Sequence, residues 1–286
     1  MKFLVGLGLS AALITGCGGP STSASPSASP SGSSSDCAAV QQDWAAGGIS
    51  SDWSGANLVN CDLSGANLRY GKFVGADLSG ANLSGRASLA EADFSNANLT
   101  GANLIDADLG FGKFVGADLS GADLSDANLF VADLSNANLT GANLTDAISH
   151  SLLLEGANLT DANLTGADLE SADLIGANLT RADLSGTNLP YADFSDATMT
   201  DANLMGLDLT AVSFAGADLV NANLSGAIGV DTNFDTANLT NANLNGATFN
   251  FVNLFGANLA NANLANVTYC QVTMPDGTVN NDNCTP

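Results

Sequence analysis

Between residues 51 and 269 a large apolar residue recurs at every fifth position, and the residue two places before it is small, most often alanine. Ala97-Asn98-Leu99-Thr100-Gly101 is representative, as is Ala122-Asp123-Leu124-Ser125-Asp126. Centred on the leucine, the register runs from 53 to 83, takes in one extra residue, and resumes at 89 to end at 269, forty-four centres in all. A period of five fits neither the 3.6-residue helix nor the two-residue strand. It fits a coil with short flat sides, one pentad to a side, with the centre and the small residue pointing inward. Large residues from several sides can share so narrow an interior only if the second inward position of each side is tiny, which accounts for the alanine. All centres are apolar except Ser149 and Gly229.

This pattern closely resembles the pentapeptide repeat family, over roughly three quarters of the chain. The resemblance implies an all-β fold, a right-handed quadrilateral β-helix with four pentads per coil. About eleven coils at about 4.8 Å each then make a rod about 50 Å long. With four sides, residues twenty apart stack. Trp53, Phe73, Phe94, Phe114, Phe194, Phe214 and Phe234 then fall in one column, with the extra residue near 84–88 absorbed as a local bulge that keeps the sides in register. Just before these centres, Asp52, Lys72, Asp93, Lys113 and Asp133 alternate in sign. They predict a surface charge ladder worth about 0.2–1 kcal/mol per pair. The segments Tyr70–Asp77 and Phe111–Asp118 nearly match, which points to an internal duplication.

The flanks differ in kind. Residues 1–16 carry Lys2 and an apolar stretch from Phe3 to Ile14, too short to span a membrane and read as a secretory signal. Ile14-Thr15-Gly16-Cys17 resembles the lipobox of bacterial lipoproteins, which implies cleavage before Cys17 and a thioether-linked lipid on it. Residues 17–36 add a Ser/Pro-rich tether. Residues 37–50 are read as an N-terminal cap with a short helical turn ending near Gly47-Gly48 and Trp44 as plug, 51–269 as the β-helix, and 270–286 as a C-terminal cap hairpin turning at Pro275-Asp276-Gly277. Export permits disulfides. Of the three connectivities open to Cys37, Cys61, Cys270 and Cys284, the sequence-local one, 37–61 with 270–284, is preferred.

Charge narrows the function. Six Lys plus Arg against 29 Asp plus Glu give a net charge of −23, yet 45% of residues are hydrophobic, so the chain is acidic without being disordered. Direct nucleic-acid binding is not expected. The single histidine, His150, leaves little room for a histidine-based metal site or triad, and no metal, cofactor or enzymatic activity is assigned. His150 lies in the irregular pentads 147–154, read as an outward loop or a repeat defect; Ser149 and Gly229 predict two dents on one face. At that side's corner stand the outward aromatics Tyr70, Phe111, Phe130, Tyr191 and Phe251, either a sparse ridge for a protein partner, with Phe111, Phe130 and Tyr191 its core, or isolated exposed rings. The reading is a non-enzymatic, lipid-anchored structural or interaction module: an acidic rod in the bacterial cell envelope, outside the cytoplasm, held to the membrane through lipid at Cys17 and facing an envelope protein. The alternative is drawn from relatives in the family: a DNA-mimicking binder of a type II topoisomerase, which requires the leader to be misread.

Overall fold

The computed structural model of the chain describes residues 36–47 and 51–284. The leader, Cys17 and the tether up to residue 35 lie outside them, as do residues 48–50.

Every place in the pentad has a local cause. The carbonyl of each centre accepts the N–H three residues on, as Phe94 O does from Ala97 at 2.9 Å, closing a β-turn at the corner. The third turn residue has positive φ, 56° at Asn96 and 62° at Gly101, so the fifth place of the repeat favours Gly, Asn or Asp. The Asn or Asp before the centre serves its own strand: Asp93 Oδ1 accepts the Ser95 N–H at 3.0 Å and the Ser95 hydroxyl at 2.6 Å. It also serves the next coil, since Asn138 Nδ2 donates to Asp118 Oδ1 at 3.0 Å.

The same residues pair in parallel with their counterparts one coil away: Asn98 with Asp118, Asp118 with Asn138, Asn138 with Asn158. Backbone bonds join the coils, for example Leu99 N–H to Asp118 O at 2.6 Å and Asp118 N–H to Ala97 O at 2.9 Å. Four walls and four corners thus make a twenty-residue coil. On one wall near the C-terminus the pairing widens into true strands, β1 Ile228–Val230, β2 Thr248–Asn250 and β3 Thr268–Cys270, in a parallel sheet.

The core is the axis, where centre leucines and their alanines are buried from Leu58 to Ala257. The aromatic column forms as the twenty-residue stacking requires. Ring centroids lie 4.9 Å apart for Phe73–Phe94, 5.0 Å for Phe94–Phe114, 5.2 Å for Phe194–Phe214 and 4.9 Å for Phe214–Phe234, all close to parallel. Trp53 begins the column half-buried at the rim.

Three expectations need correction. The extra residue does not bulge a wall; it lengthens one corner to Ser84-Gly85-Arg86, while the walls keep register through Asn67 with Ser88 and Lys72 with Asp93. A corner faces solvent and sacrifices no ladder bond. The charge ladder has the expected register but no close ion pairs: among the described residues the ion pairs are Arg69–Glu91, Arg86–Asp106 and Arg181–Asp161. The ladder's carboxylates are already turned along their own strand, Asp52 to Ser54 and Asp93 to Ser95.

The third correction is the N-terminal plug. Helix α1, Cys37–Ala45, lies over the first coil and is joined to it by the Cys37–Cys61 disulfide. Val40, not Trp44, is the fully buried residue; Trp44 is half-buried. Val40 lies about one helical turn beyond the bridge, on the face that Cys61 holds against the axis, and the narrow bore admits an isopropyl group more readily than an indole. The cap also satisfies the coil's open edge: Asp36 N–H donates to Asn57 O at 2.7 Å, Asn57 N–H to the Asp36 carboxylate at 2.8 Å, and Gln41 Nε2 to Asp62 O at 2.8 Å. Gly47, at φ 79°, follows the helix as its left-handed stop. At the other end β4 Val272–Thr273 and β5 Val279–Asn280 form the antiparallel hairpin, and Cys270 is bonded to Cys284. Its coverage is partial, for Leu264 in the last coil remains 37% exposed.

Candidate functional site

The four corners are not equivalent. At three of them the positive-φ place is filled by Gly, Asn or Asp with few exceptions, such as Arg181 and Thr236. At the fourth it is filled in succession by Tyr70, Glu91, Phe111, Val131, Ser151, Ser171, Tyr191, Ala211, Asp231, Phe251 and Gln271, with φ from 53° to 65°. Only Asp231 belongs to the types that tolerate this conformation. The left-handed region costs an ordinary L-residue about 1–2 kcal/mol, and a β-branched or bulky residue there is an outlier. This corner therefore carries large side chains at a conformational cost the other three avoid.

Those side chains face solvent. Phe111 is 53% exposed, Tyr191 64% and Phe251 54%. The preceding turn position adds Phe130, whose ring meets Phe111 edge-on at 5.4 Å and lies nearly parallel to His150 at 6.0 Å. The Arg69 guanidinium sits 5.3 Å over the Tyr70 ring and 3.6 Å from Glu91. Tyr70, Glu91, Phe111 and Lys113 border a shallow open depression of about 480 Å³. Phe111, Phe130 and Tyr191 thus share one corner. Phe111 and Phe130 touch, while Tyr191 stands three coils beyond Phe130. The charge here is mixed, with Arg69 and Lys113 interrupting an otherwise acidic surface.

The two broken centres are not dents. The Ser149 side chain is fully buried and its hydroxyl donates to Asp168 O at 2.8 Å. At Gly229 the vacated volume is filled from its own coil and from the next: a Cβ there would stand 2.9 Å from the Thr232 hydroxyl and 3.1 Å from both the Phe249 ring and Val252. The axis is close-packed, so neighbouring side chains and not solvent occupy the space of a missing centre. The sequence reading also missed a juxtaposition: ligand atoms of His150, Asp168 and Glu170 lie within 4.8 Å of one another. The available signal was the twenty-residue step from His150 to Glu170. Among the described residues no helix is long and apolar enough to cross a membrane.

The sequence model described as Pentapeptide repeats matches in eight copies, together running over residues 54–110, 113–148 and 153–268. HetL, a pentapeptide repeat protein involved in heterocyst differentiation regulation from the cyanobacterium Nostoc, is 30% identical over 84% of this chain and 98% of its own, with a TM-score of 0.49. A pentapeptide repeat protein of the Arabidopsis thaliana thylakoid lumen is 28% identical over 46% of this chain and 68% of its own, with a TM-score of 0.20. QnrB1, a plasmid-mediated fluoroquinolone resistance protein, is 17% identical over 63% of this chain and 89% of its own, with a TM-score of 0.33. No curated protein sequence matches this chain.

Proposed function

The chain belongs to the pentapeptide repeat family, and from that premise we propose that it is a non-enzymatic, lipid-anchored module that presents an acidic rod in the cell envelope and binds a protein along its aromatic corner. One observation carries the binding reading: the corner keeps Tyr70, Phe111, Val131, Tyr191 and Phe251 in a conformation better suited to glycine or asparagine. Side chains held at such a cost are most simply explained by contact with something outside the rod. Exposed aromatics beside an arginine are the usual anchors of protein interfaces. The envelope reading draws on Cys17 after its apolar leader, and on the two disulfides, which suit an oxidising compartment.

Two experiments separate these parts. Labelled fatty acid should enter the wild-type chain and not Cys17→Ala, which should leave the membrane fraction; a soluble, cytoplasmic wild type would end the anchor reading and favour the topoisomerase alternative. Capture of envelope proteins by the intact rod should be lost when Phe111, Phe130 and Tyr191 are all changed to alanine. Equal capture by the variant would remove the corner from consideration.

A further inference from the structure

We propose that His150, Asp168 and Glu170 form a binding site for a divalent transition-metal cation of the zinc type. The chain has one histidine and three glutamates, Glu91, Glu155 and Glu170. The histidine and one of these glutamates occupy equivalent places on the same corner one coil apart, with Asp168 two residues before Glu170 on the adjoining wall. One imidazole nitrogen and two carboxylate oxygens lie within 4.8 Å of one another, and all three side chains are half-buried. Ligand atoms around tetrahedral zinc at about 2.1 Å stand about 3.4 Å apart, so closing the site asks each side chain to move by about an ångström.

The surroundings are arranged to hold these groups. Ser149 replaces the usual apolar centre, and both its N–H, at 3.1 Å, and its hydroxyl, at 2.8 Å, donate to the carbonyl of Asp168. The broken centre thereby ties the strand bearing His150 to the strand bearing both carboxylates. From the far side Asn188 Nδ2 donates to Asp168 Oδ1 at 2.8 Å and reaches Glu170 Oε2 at 3.4 Å, keeping the two carboxylates side by side. The Phe130 ring lies nearly parallel to the imidazole, with the ring centroids 6.0 Å apart, on the same corner. An imidazole among the ligands selects against calcium and magnesium, which prefer all-oxygen shells, and favours zinc or its transition-metal neighbours. Three protein ligands leave a position open to water. The net charge of −23 raises the local concentration of any cation.

The test uses the full chain, without an affinity tag, in three forms: wild type, His150→Ala and Glu170→Gln. Calorimetric titration with Zn²⁺ should show one saturable equivalent in the wild type, at least about tenfold weaker in either variant, and not displaced by excess Ca²⁺. Because His150 is the only histidine, its imidazole resonances are unambiguous and should shift on adding Zn²⁺. Far-ultraviolet circular dichroism would verify that the variants keep the coil. Zinc uptake equal in all three forms and displaced by Ca²⁺ would show only a diffuse acidic surface and overturn the proposal. So would an absence of saturable binding, or imidazole resonances that do not move.

Discussion

A residue in this rod answers to one of two steric demands, and each can be tested by a single substitution. At a corner, the third turn position must hold positive φ. Val131 does so at 54° with a β-branched side chain, the least suitable kind. Val131→Asn should therefore stabilise the rod by about 1 kcal/mol, seen as a higher denaturant midpoint with an unchanged slope. A loss of stability would mean that Val131 has packing value the corner geometry does not reveal. On the axis the demand is for volume. Ala162 is 1% exposed and shares its coil with Leu159 and Leu164, both fully buried. Ala162→Leu should cost about 1–3 kcal/mol through overpacking, again read from the denaturant midpoint. These inward demands were legible in the sequence, because alanine and leucine alternate with a fixed period. The corner's exception was legible only in part: the aromatics stood out, but their positive φ did not.

At the scale of elements, the stacks and caps behave differently. A wall is fixed by its neighbours on both sides, so the phenylalanine column could be read as soon as the coil length was known. A cap has one neighbour and no period. Its cysteines showed where it is tied, yet Val40 rather than Trp44 fills the bore because the helix's rotation about its bridge is set by packing. The hairpin at the other end is held by the Cys270–Cys284 bond, which spans 14 residues. Cys284→Ser should lower stability by about 3 kcal/mol by releasing that loop. The loss should be local: amide exchange should accelerate across 268–284 and stay unchanged near Leu99 and Leu119, since each coil is coupled mainly to its neighbours. Uniform acceleration would instead show that the whole rod unfolds as a single unit.

For the molecule as a whole the governing quantity is its carboxylate surface. The carboxyls of Asp52, Asp183 and Asp276 are held below their ordinary value of 3.8 by hydrogen bonds from Ser54, Ser185 and Thr278. Arg181 does the same for Asp161. A carboxyl whose pKa is lower in the fold than in the unfolded chain contributes stability above the unfolded value, and that stability is lost as pH falls through the folded one. The denaturant midpoint should thus be flat from pH 7 to about 5 and fall below about pH 4. The opposing effect is relief of the repulsion among 29 acidic residues. A midpoint that rises below pH 4 would show that this repulsion, and not the hydrogen-bonded turns, controls the acid limb.

By itself the sequence determined the period, five residues to a side, and with it the aromatic column and the acidic surface. Each of these follows from a repeating local rule, and a rule repeated forty-four times is hard to misread. Only the tertiary structure decided which corner bears the strain, why Ser149 and Gly229 leave no hollow, and that His150 stands beside Asp168 and Glu170. Those facts depend on side-chain directions between coils. A period gives the spacing of neighbours, whereas packing and hydrogen bonding settle where their atoms point.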